Sequence, residues 1–520
     1  MKAVELELFR QMLGSVADEM GIVLRKTAYS ANIKERRDYS CAVYDAGGQT
    51  VAMGEHMPVH LGAMPLSVEH ARKEFRFHPG DVVILNDPFR GGTHLPDITA
   101  VSGVFLPGDK QPFFYVANRA HHADVGGMSP GSMPLAREIY QEGIRIPPVR
   151  LVRSGELQSE IWNLILANVR TPAEREGDLL AQLMSLRRGE ERLLALVARS
   201  GRTTVRRNMR RLQAYSETMM RATLRGLPDG SYPFEDFLDD DGVTRTPVRI
   251  AVEIRIAGDE VDVDFTGSDP QTAGPVNANI AILLAATGYV FRCLLREEVP
   301  FTAGLLRPIR VIATPRSVVS AEAPAAMAAG NVETSQRITD VLLGALAKAA
   351  PGRIPAASSG TMNNFSFGGW DPLRTKPFAY YETIAGGMGA GPVNAGHSAV
   401  HTHMTNSWNT PVEALEHQFP LRIREYGIRR DSGGSGDRRG GDGIVREWEF
   451  LAPSKVTMLS DRRERAPYGL AGGGPGSVGR NLLIRAGKRI PLAAKIEFEA
   501  RAGDIIRIET PGGGGHGHPV

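Results

Sequence analysis

The sequence predicts a mixed α+β fold built from several closely packed domains. Three observations support this prediction. Short strand-like segments alternate with polar, glycine-containing loops through the first 155 residues. A charged stretch over 159–227 has the apolar spacing of long helices. The region from 431 to the end is glycine-rich and strand-like again.

The chain is longer than one domain usually is, with 520 residues of which 42% are hydrophobic. Composition along the chain predicts four regions. They are a strand-rich α/β region with a candidate metal site over 1–155, a helical region over 156–230, a mixed α/β region over 231–430, and a glycine-rich β region over 431–520.

The pattern of apolar residues predicts the individual elements in order. A helix is expected over 4–27 from its apolar spacing, followed by strands that end at turns or polar loops. An apolar helix over 280–291 is too short to cross a bilayer, so we expect it to be buried. The predicted strands are 38–45, 49–53, 81–85, 113–117, a ribbon over 248–265, 443–451, 455–459, 481–484, 496–498 and 505–508, and a further helix is predicted over 331–350.

Charge and cysteine content exclude several classes of function. The formal net charge is +3, from 61 basic and 58 acidic residues with no basic block, so we expect no nucleic-acid partner. Cys41 and Cys293 are too few for a disulfide framework and suit a reducing cytoplasm. Acidic residues interrupt the N-terminus, which argues against a signal peptide. We therefore expect a cytoplasmic protein without membrane association.

Histidine and aspartate cluster after two predicted strands. The run THLPD over 93–97 follows one strand, and AHHADVGG over 120–127 follows another. Histidine and aspartate three positions apart, as in His94 and Asp97, can direct a ring nitrogen and a carboxylate oxygen at one point. Two histidines with carboxylates and no cysteine suit Zn, Mn or Fe, whereas the alternative is ordinary loop histidines bound to backbone groups. Asp38 could add another carboxylate.

His121 and His122 cannot face the same way on an extended chain, because side chains alternate along a strand. One of the two is expected to bind the metal, and the other to orient it or to face the substrate.

Two further polar clusters have less specific interpretations. The run EHMPVH over 55–60 could supply an acid, a base or structural contacts. His397, His401 and His403 could hold a second metal if they lie on a strand, but polar packing is the favoured interpretation. No glycine-rich stretch matches the phosphate-binding pattern Gly-x4-Gly-Lys-Ser/Thr.

Several long motifs give the chain a specific resemblance. It is similar to the hydantoinase B/oxoprolinase family, which includes the B-type subunit of ATP-dependent N-methylhydantoinases, the C-terminal half of 5-oxoprolinases and one component of acetone and acetophenone carboxylases. The matching motifs are NIKERRDYSC over 32–41, EHMPVHLG over 55–62, NDPFRGGTHLPD over 86–97, AHHADVGG over 120–127, DFTGSDP over 264–270, GNVETSQ over 330–336, TNSWNTPVE over 405–413 and TPGGGG over 510–515.

The resemblance implies a divalent metal (Zn, Fe or Mn) held by Asp38, His94, Asp97 and His121. It also implies that ATP binds a separate partner, a hydantoinase A-type subunit of the sugar-kinase/actin class, which would phosphorylate a cyclic amide such as a hydantoin or 5-oxoproline. This chain would then open the activated ring by hydrolysis at its metal. Two alternatives stay open: a component of an ATP-dependent ketone carboxylase, and a scaffold without catalytic function that stabilises the A-type partner.

Overall fold

The structure is a computed structural model that describes residues 2–54 and 57–519. Its N-terminal part is built on a seven-stranded antiparallel sheet with the order β2-β1-β5-β4-β3-β6-β7. The strands are β1 (Tyr39–Asp45), β2 (Thr50–Met53), β3 (Val82–Leu85), β4 (Asp97–Val104), β5 (Phe114–His121), β6 (Val149–Arg153) and β7 (Glu156–Leu157).

Helices cover both faces of this first sheet. The helices are α1 (Lys2–Thr27), α2 (Ala31–Lys34), α3 (Met64–Glu74), α4 (Ser159–Ala167), α5 (Pro172–Ser200) and α6 (Arg202–Arg225). Apolar residues of α1, α5 and α6 form one core with the sheet, including Leu13, Met20 and Leu186. Helix α3 packs on the other face through Met64 and Val68. The helical stretch thus shares its core with the strands that precede it.

A second sheet of four strands has the order β11-β10-β9-β8. Its strands are β8 (Gly230–Leu238), β9 (Val248–Ala257), β10 (Glu260–Asp264) and β11 (Ile309–Ile312). The apolar helices α7 (Ile280–Cys293) and α8 (Ser335–Ala349) share a core with this sheet. A π-helical turn, Gly330–Thr334, leads directly into α8. In the described part of the chain no helix is long and apolar enough to span a membrane.

The C-terminal part contains two more sheets, with the orders β13-β12-β16-β19 and β14-β15-β20-β17-β18. They share an aromatic core that includes Phe367, Tyr380 and Trp448. The elements are β12 (Asn364–Asp371), β13 (Lys376–Glu382), α9 (Val412–Gln418), β14 (Leu421–Arg429), β15 (Gly443–Phe450), β16 (Ser454–Leu459), β17 (Arg480–Arg485), β18 (Lys488–Leu492), β19 (Lys495–Ala500) and β20 (Ile505–Glu509).

The glycine run near the C-terminus lies in tight contact with the backbones of other loops. A Cβ atom on Gly513 would lie 2.1 Å from the carbonyl oxygen of Met388, and one on Gly514 would lie 2.0 Å from that of Tyr468. A real Cβ atom does not approach an oxygen so closely. These positions therefore require glycine because three loops pack backbone to backbone.

The mixed α+β fold predicted from the sequence is confirmed, with four sheets in the described residues. The predicted first helix, the strands β1 to β3 and the C-terminal strands β15, β16, β17, β19 and β20 also appear near their expected positions. The sequence did not predict β4, and it ended β5 too early, at residue 117 rather than His121. Both differences concern the strands that carry the candidate metal ligands.

Candidate metal centre

Neighbouring strands place the predicted ligands in one row at the edge of the first sheet. Asp97 begins β4 and lies opposite His121, the last residue of β5, in the antiparallel register. Asp38 directly precedes β1, and its carbonyl oxygen accepts a hydrogen bond of 3.0 Å from the His121 backbone N–H. Opposite positions on paired strands place their side chains on the same face. The register therefore brings these three residues side by side.

His94, Asp97 and His121 form a compact and buried group. One potential ligand atom from each side chain lies within 4.8 Å of the other two. Nε2 of His94 is 3.2 Å from Oδ1 of Asp97, and Nδ1 of His121 is 3.3 Å from the same oxygen. Over the ranges that the structure describes, this is the one group of three or more such side chains close enough to hold a metal ion.

The hydrogen bonds of His94 determine which nitrogen is available to a ligand. Its Nδ1 lies 3.3 Å from the carbonyl oxygen of Ala328. A carbonyl oxygen can only accept, so the proton of the neutral ring is assigned to Nδ1. The lone pair of Nε2 then faces Asp97 and the side-chain amide of Asn331, which is 3.0 Å away. This is the form of imidazole that binds a metal.

Asp97 is held in its ionised form. Burial opposes ionisation, but the neighbouring His94 and His60, in their protonated forms, hold the pKa of this carboxyl well below its usual range. The hydroxyl of Thr93 donates a hydrogen bond of 2.8 Å to Oδ2 of Asp97. Arg119, which is fully buried, reaches the same hydroxyl at 3.5 Å. A negative charge at this position is therefore supported from several sides.

His60 joins the group from a short 3-10 helix, Pro58–His60. Its Nε2 lies 3.4 Å from Oδ2 of Asp97, and its Nδ1 lies 2.9 Å from the hydroxyl of Ser40. The polar cluster predicted over 55–60 thus contacts the site through its last residue. Glu55 and His56 lie outside the described residues.

Asp38 lies at the border of the group. Its carboxylate is not among the atoms that lie within 4.8 Å of one another. Oδ2 of Asp38 is 3.9 Å from a guanidinium nitrogen of the buried Arg36, which also donates a hydrogen bond of 2.9 Å to the carbonyl oxygen of Tyr381. The structure thus brings three of the four predicted ligands together and holds the fourth beside them.

A chain of contacts fixes the ring of His121. The ring stacks on Tyr381, with centroids 4.5 Å apart and planes inclined by 15°. The Tyr381 hydroxyl donates to Oδ1 of Asn364 at 2.7 Å, and the Asn364 amide donates to Oε1 of Glu333 at 2.7 Å. Burial raises the pKa of Glu333 to about 7, and the nearby Asp461 acts in the same direction.

The π-helical turn before α8 supplies both Asn331 and Glu333. The amide nitrogen of Asn331 is 3.3 Å from Oδ2 of Asp97, in addition to its contact with His94. One turn of chain therefore touches His94 and Asp97 directly and reaches His121 through the contacts of Glu333. Turns of this kind occur frequently at functional sites.

The residues present fit a divalent metal ion. Oδ1 of Asp97, on which the rings of His94 and His121 converge, and Nε2 of His121 are buried without a hydrogen-bond partner among the described residues. Such unpaired atoms cost roughly 1–3 kcal/mol each, which a bound ion would offset. Two imidazoles and a carboxylate, with no thiolate, are ligands suited to Zn, Fe or Mn.

His122 and Asp124 lie apart from this group. Nε2 of His122 is 3.0 Å from the side-chain oxygen of Gln182 on α5, so His122 faces the helix and His121 faces the site. Asp124 binds Arg170 at 2.9 Å within a loop. The expected alternation of the two histidines is therefore present.

The segment containing His397, His401 and His403 is a loop, not the strand considered above. These histidines line a common cavity instead of forming a second metal group in the described residues.

The sequence assigned no role to Asn331, Glu333 or Tyr381. The only signal was that 330–336 belongs to a recognised motif, and nothing marked Tyr381.

The sequence model of the family described as Hydantoinase B/oxoprolinase matches residues 2–519. The chain belongs to the hydantoinase B/oxoprolinase family.

Two relatives show how the chain compares in length. It is 38% identical over 547 residues to 5-oxoprolinase 1 of Arabidopsis thaliana, covering 99% of this chain and 42% of that protein. It is 32% identical over 531 residues to a protein of Pseudomonas sp. strain NS671 that is named as the B-type component of a D-/L-hydantoinase, covering 98% and 88%. The chain thus spans less than half of the plant protein and most of the Pseudomonas protein.

Two solved structures have the same fold. An ATP-dependent caprolactamase from Pseudomonas jessenii superposes with a TM-score of 0.93 at 28% identity, covering 99% of this chain and 91% of that chain. A nucleotide-free acetone carboxylase superposes with a TM-score of 0.90 at 17% identity, covering 99% and 76%. The second likeness concerns the fold alone.

Proposed function

We propose that this chain is the metal-containing B-type subunit of an ATP-dependent hydrolase that acts on cyclic amides. A separate hydantoinase A-type partner, which is an ATPase of the sugar-kinase/actin class, phosphorylates the amide oxygen of the ring, and this chain opens the activated ring with water. The observation that carries the proposal is the buried group of His94, Asp97 and His121 in a chain of this family.

The chemistry of amides explains why two steps are needed. Resonance makes an amide carbonyl a poor electrophile, and phosphorylation of its oxygen removes that resonance. A divalent ion held by His94, Asp97 and His121, with Asp38 as a fourth ligand, would lower the pKa of a water molecule and polarise the ring carbon. The sequence contains no phosphate-binding loop of the Gly-x4-Gly-Lys type, in keeping with ATP use by the partner.

The chain's own residues have defined tasks in this proposal. Asp97 supplies negative charge, and its carboxylate accepts hydrogen bonds from Thr93 and Asn331. His60 contacts Oδ2 of Asp97, the carboxylate oxygen that His94 and His121 do not face, and can exchange a proton with water that enters the site. Tyr381 fixes the ring of His121 by stacking, and burial of the whole group excludes bulk water.

A reconstitution experiment tests the division of labour. The chain is purified alone and together with its A-type partner, and ATP hydrolysis and ring opening are measured with a hydantoin and with 5-oxoproline. We expect ring opening coupled to ATP hydrolysis only when both proteins are present. Strong ATP hydrolysis by this chain alone would contradict the proposal, and so would bicarbonate-dependent consumption of acetone without amide hydrolysis.

A further inference from the structure

A cavity of about 520 Å³ lies between α7, the middle of α8, the segment that follows α8 and the loop that contains the three histidines. Most of its wall is apolar, and the volume is within the usual range for a small-molecule site. Its apolar lining includes Val290, Leu294, Leu343, Ile354 and Met388. The candidate metal ligands do not line it, so the cavity is a separate feature of the fold.

The cavity nevertheless borders the metal centre on one side. Pro58 forms part of its wall and begins the short helix that ends at His60, whose Nε2 is 3.4 Å from Asp97. The backbone N–H of Val59 donates a hydrogen bond of 3.3 Å to the carbonyl oxygen of Met404, in the histidine loop. The short helix Pro58–His60 therefore separates the cavity from the metal centre.

The polar groups in the wall favour an anion. Apart from the three histidines, Arg353 is the one ionisable basic or acidic residue in the cavity lining that carries a full charge at neutral pH. Among the described residues, no carboxylate lies within 4.0 Å of its guanidinium group. Its guanidinium donates to the carbonyl oxygen of Leu294, which leaves further N–H donors free. Nε2 of His401 and Nε2 of His403 are buried without hydrogen-bond partners in the same part of the chain.

We propose that this cavity is an ancillary site that binds the cyclic amide beside the metal centre, before the ring reaches the metal ligands, and that Arg353 pairs with an anionic group on that ring. This inference rests on the proposed function. The apolar wall accommodates the carbon atoms of a small cyclic amide. The anion is either a carboxylate already on the ring or the phosphoryl group added by the partner, and both have oxygen atoms that match a guanidinium.

Chemical labelling of Cys293 reports whether the cavity is occupied, and this assay needs no metal, ATP or partner protein. It is an exposed residue in the cavity wall, although desolvation raises the pKa of its thiol, whereas the other cysteine, Cys41, is completely buried and has its pKa raised to about 12 by burial. A maleimide should therefore label Cys293 selectively, as peptide mass spectrometry would verify. We expect cyclic amides to slow this labelling by occupying the cavity.

Three small molecules distinguish binding of the ring from binding of its anionic group. The first is 5-oxoproline, the second is pyrrolidinone, which is the same lactam without the carboxylate, and the third is inorganic phosphate. We expect 5-oxoproline to protect Cys293 at a concentration roughly 10- to 150-fold lower than pyrrolidinone, the ratio given by one hydrogen bond to a charged group. If phosphate competes with 5-oxoproline, the cavity accepts phosphoryl groups as well.

Variants provide the controls. Arg353→Gln should remove the difference between 5-oxoproline and pyrrolidinone, whereas Arg296→Gln, on the exposed segment after α7, should leave it unchanged. Val400→Trp, which fills the cavity, should abolish protection, and Val393→Trp at an exposed position outside the wall should not. Absence of protection by all three probes in the wild-type chain overturns the inference, even if the reconstituted enzyme is active.

Discussion

Asp97 and Glu142 are two buried carboxyl groups whose surroundings act on their pKa in opposite directions. Asp97 has imidazoles next to it and is held ionised. Glu142 is fully buried and forms no ion pair among the described residues, and burial raises its pKa to about 8 although the backbone N–H groups of Ala328 and Met327 donate to Oε1. Ala328 also accepts the Nδ1 proton of His94, so Glu142 supports the chain segment that orients this candidate ligand.

The raised pKa of Glu142 predicts a specific pH dependence of stability. In the unfolded chain the carboxyl loses its proton near its ordinary value of 4.5, but in the folded protein it keeps the proton up to about pH 8. The contribution of Glu142 to the free energy of unfolding is therefore greatest below pH 4.5 and decreases as the pH rises to about 8. The loss is about 1.4 kcal/mol per pH unit within this window.

Glu142→Gln removes this dependence because glutamine does not ionise. We expect the thermal midpoint of the variant, compared with the wild type, to rise between about pH 5 and pH 8, the window set by the raised pKa. Glu156→Gln, at an exposed position in β7, serves as the control and should follow the wild type. Parallel pH profiles for Glu142→Gln and the wild type would show that Glu142 is ionised in the folded state.

The π-helical turn, Gly330–Thr334, is the element on which the site depends most. It places Asn331 against His94 and Asp97 and places Glu333 in the hydrogen-bond chain that ends at Tyr381 and His121. A regular α-helix would present these side chains at different angles, since the wider turn adds one residue.

Asn331→Ala should weaken metal binding without removing a metal ligand. Loss of a group that orients ligands typically lowers metal affinity by about 10–100-fold. Chelator competition measures this change, and Gln336→Ala serves as the control because its amide contacts Thr402 and not the metal centre. Equal affinities for the wild type and Asn331→Ala would show that this turn has no role in metal binding.

The strands of the site show why the sequence predicted this part of the fold incompletely. Every residue of β4 and β5 is buried, because helices cover both faces of the sheet. The alternation of polar and apolar residues that identifies a half-exposed strand is therefore absent. Asn118 and Arg119 look like loop residues, but they are buried in β5, where Asn118 donates to the carbonyl oxygen of Gln182 and Arg119 donates to Thr99.

The candidate site was predictable to the extent that its residues are close in sequence or belong to a motif. His94 and Asp97 are three positions apart, and the motif resemblance added Asp38 and His121. Tyr381 and Asn331 come from distant segments, and their contacts with His121 and His94 depend on how the sheets pack. No local pattern encodes such a contact.

At the scale of the whole molecule, a buried network of charges joins the second sheet to the C-terminal sheets. Asp461 binds Arg337 of α8 at 3.0 Å and Lys495 of β19 at 2.9 Å. Arg462 and Asp340 are paired in the same network at 2.6 Å, and all five side chains are almost completely buried. The parts of the chain that supply Asn331 and Tyr381 are thereby fixed relative to each other.

Asp461→Ala should destabilise the fold strongly, since it leaves Arg337 and Lys495 buried with one partner fewer. Breaking a buried ion pair by removing one partner costs about 3–5 kcal/mol. The thermal midpoint measures this loss. Asp262→Ala removes the partly buried partner of the exposed Arg310, a surface ion pair, and should have little effect. A similar midpoint for both variants would mean that the network does not hold the sheets together.

The most direct test of the proposed metal centre is the metal content of purified variants. Elemental analysis compares the wild type with His94→Ala, Asp97→Ala and His122→Gln, after circular dichroism has verified that each variant is folded. We predict that the wild type binds a divalent metal, that His94→Ala and Asp97→Ala lose it, and that His122→Gln keeps it because His122 faces α5. Unchanged metal content in both His94→Ala and Asp97→Ala would contradict the assignment.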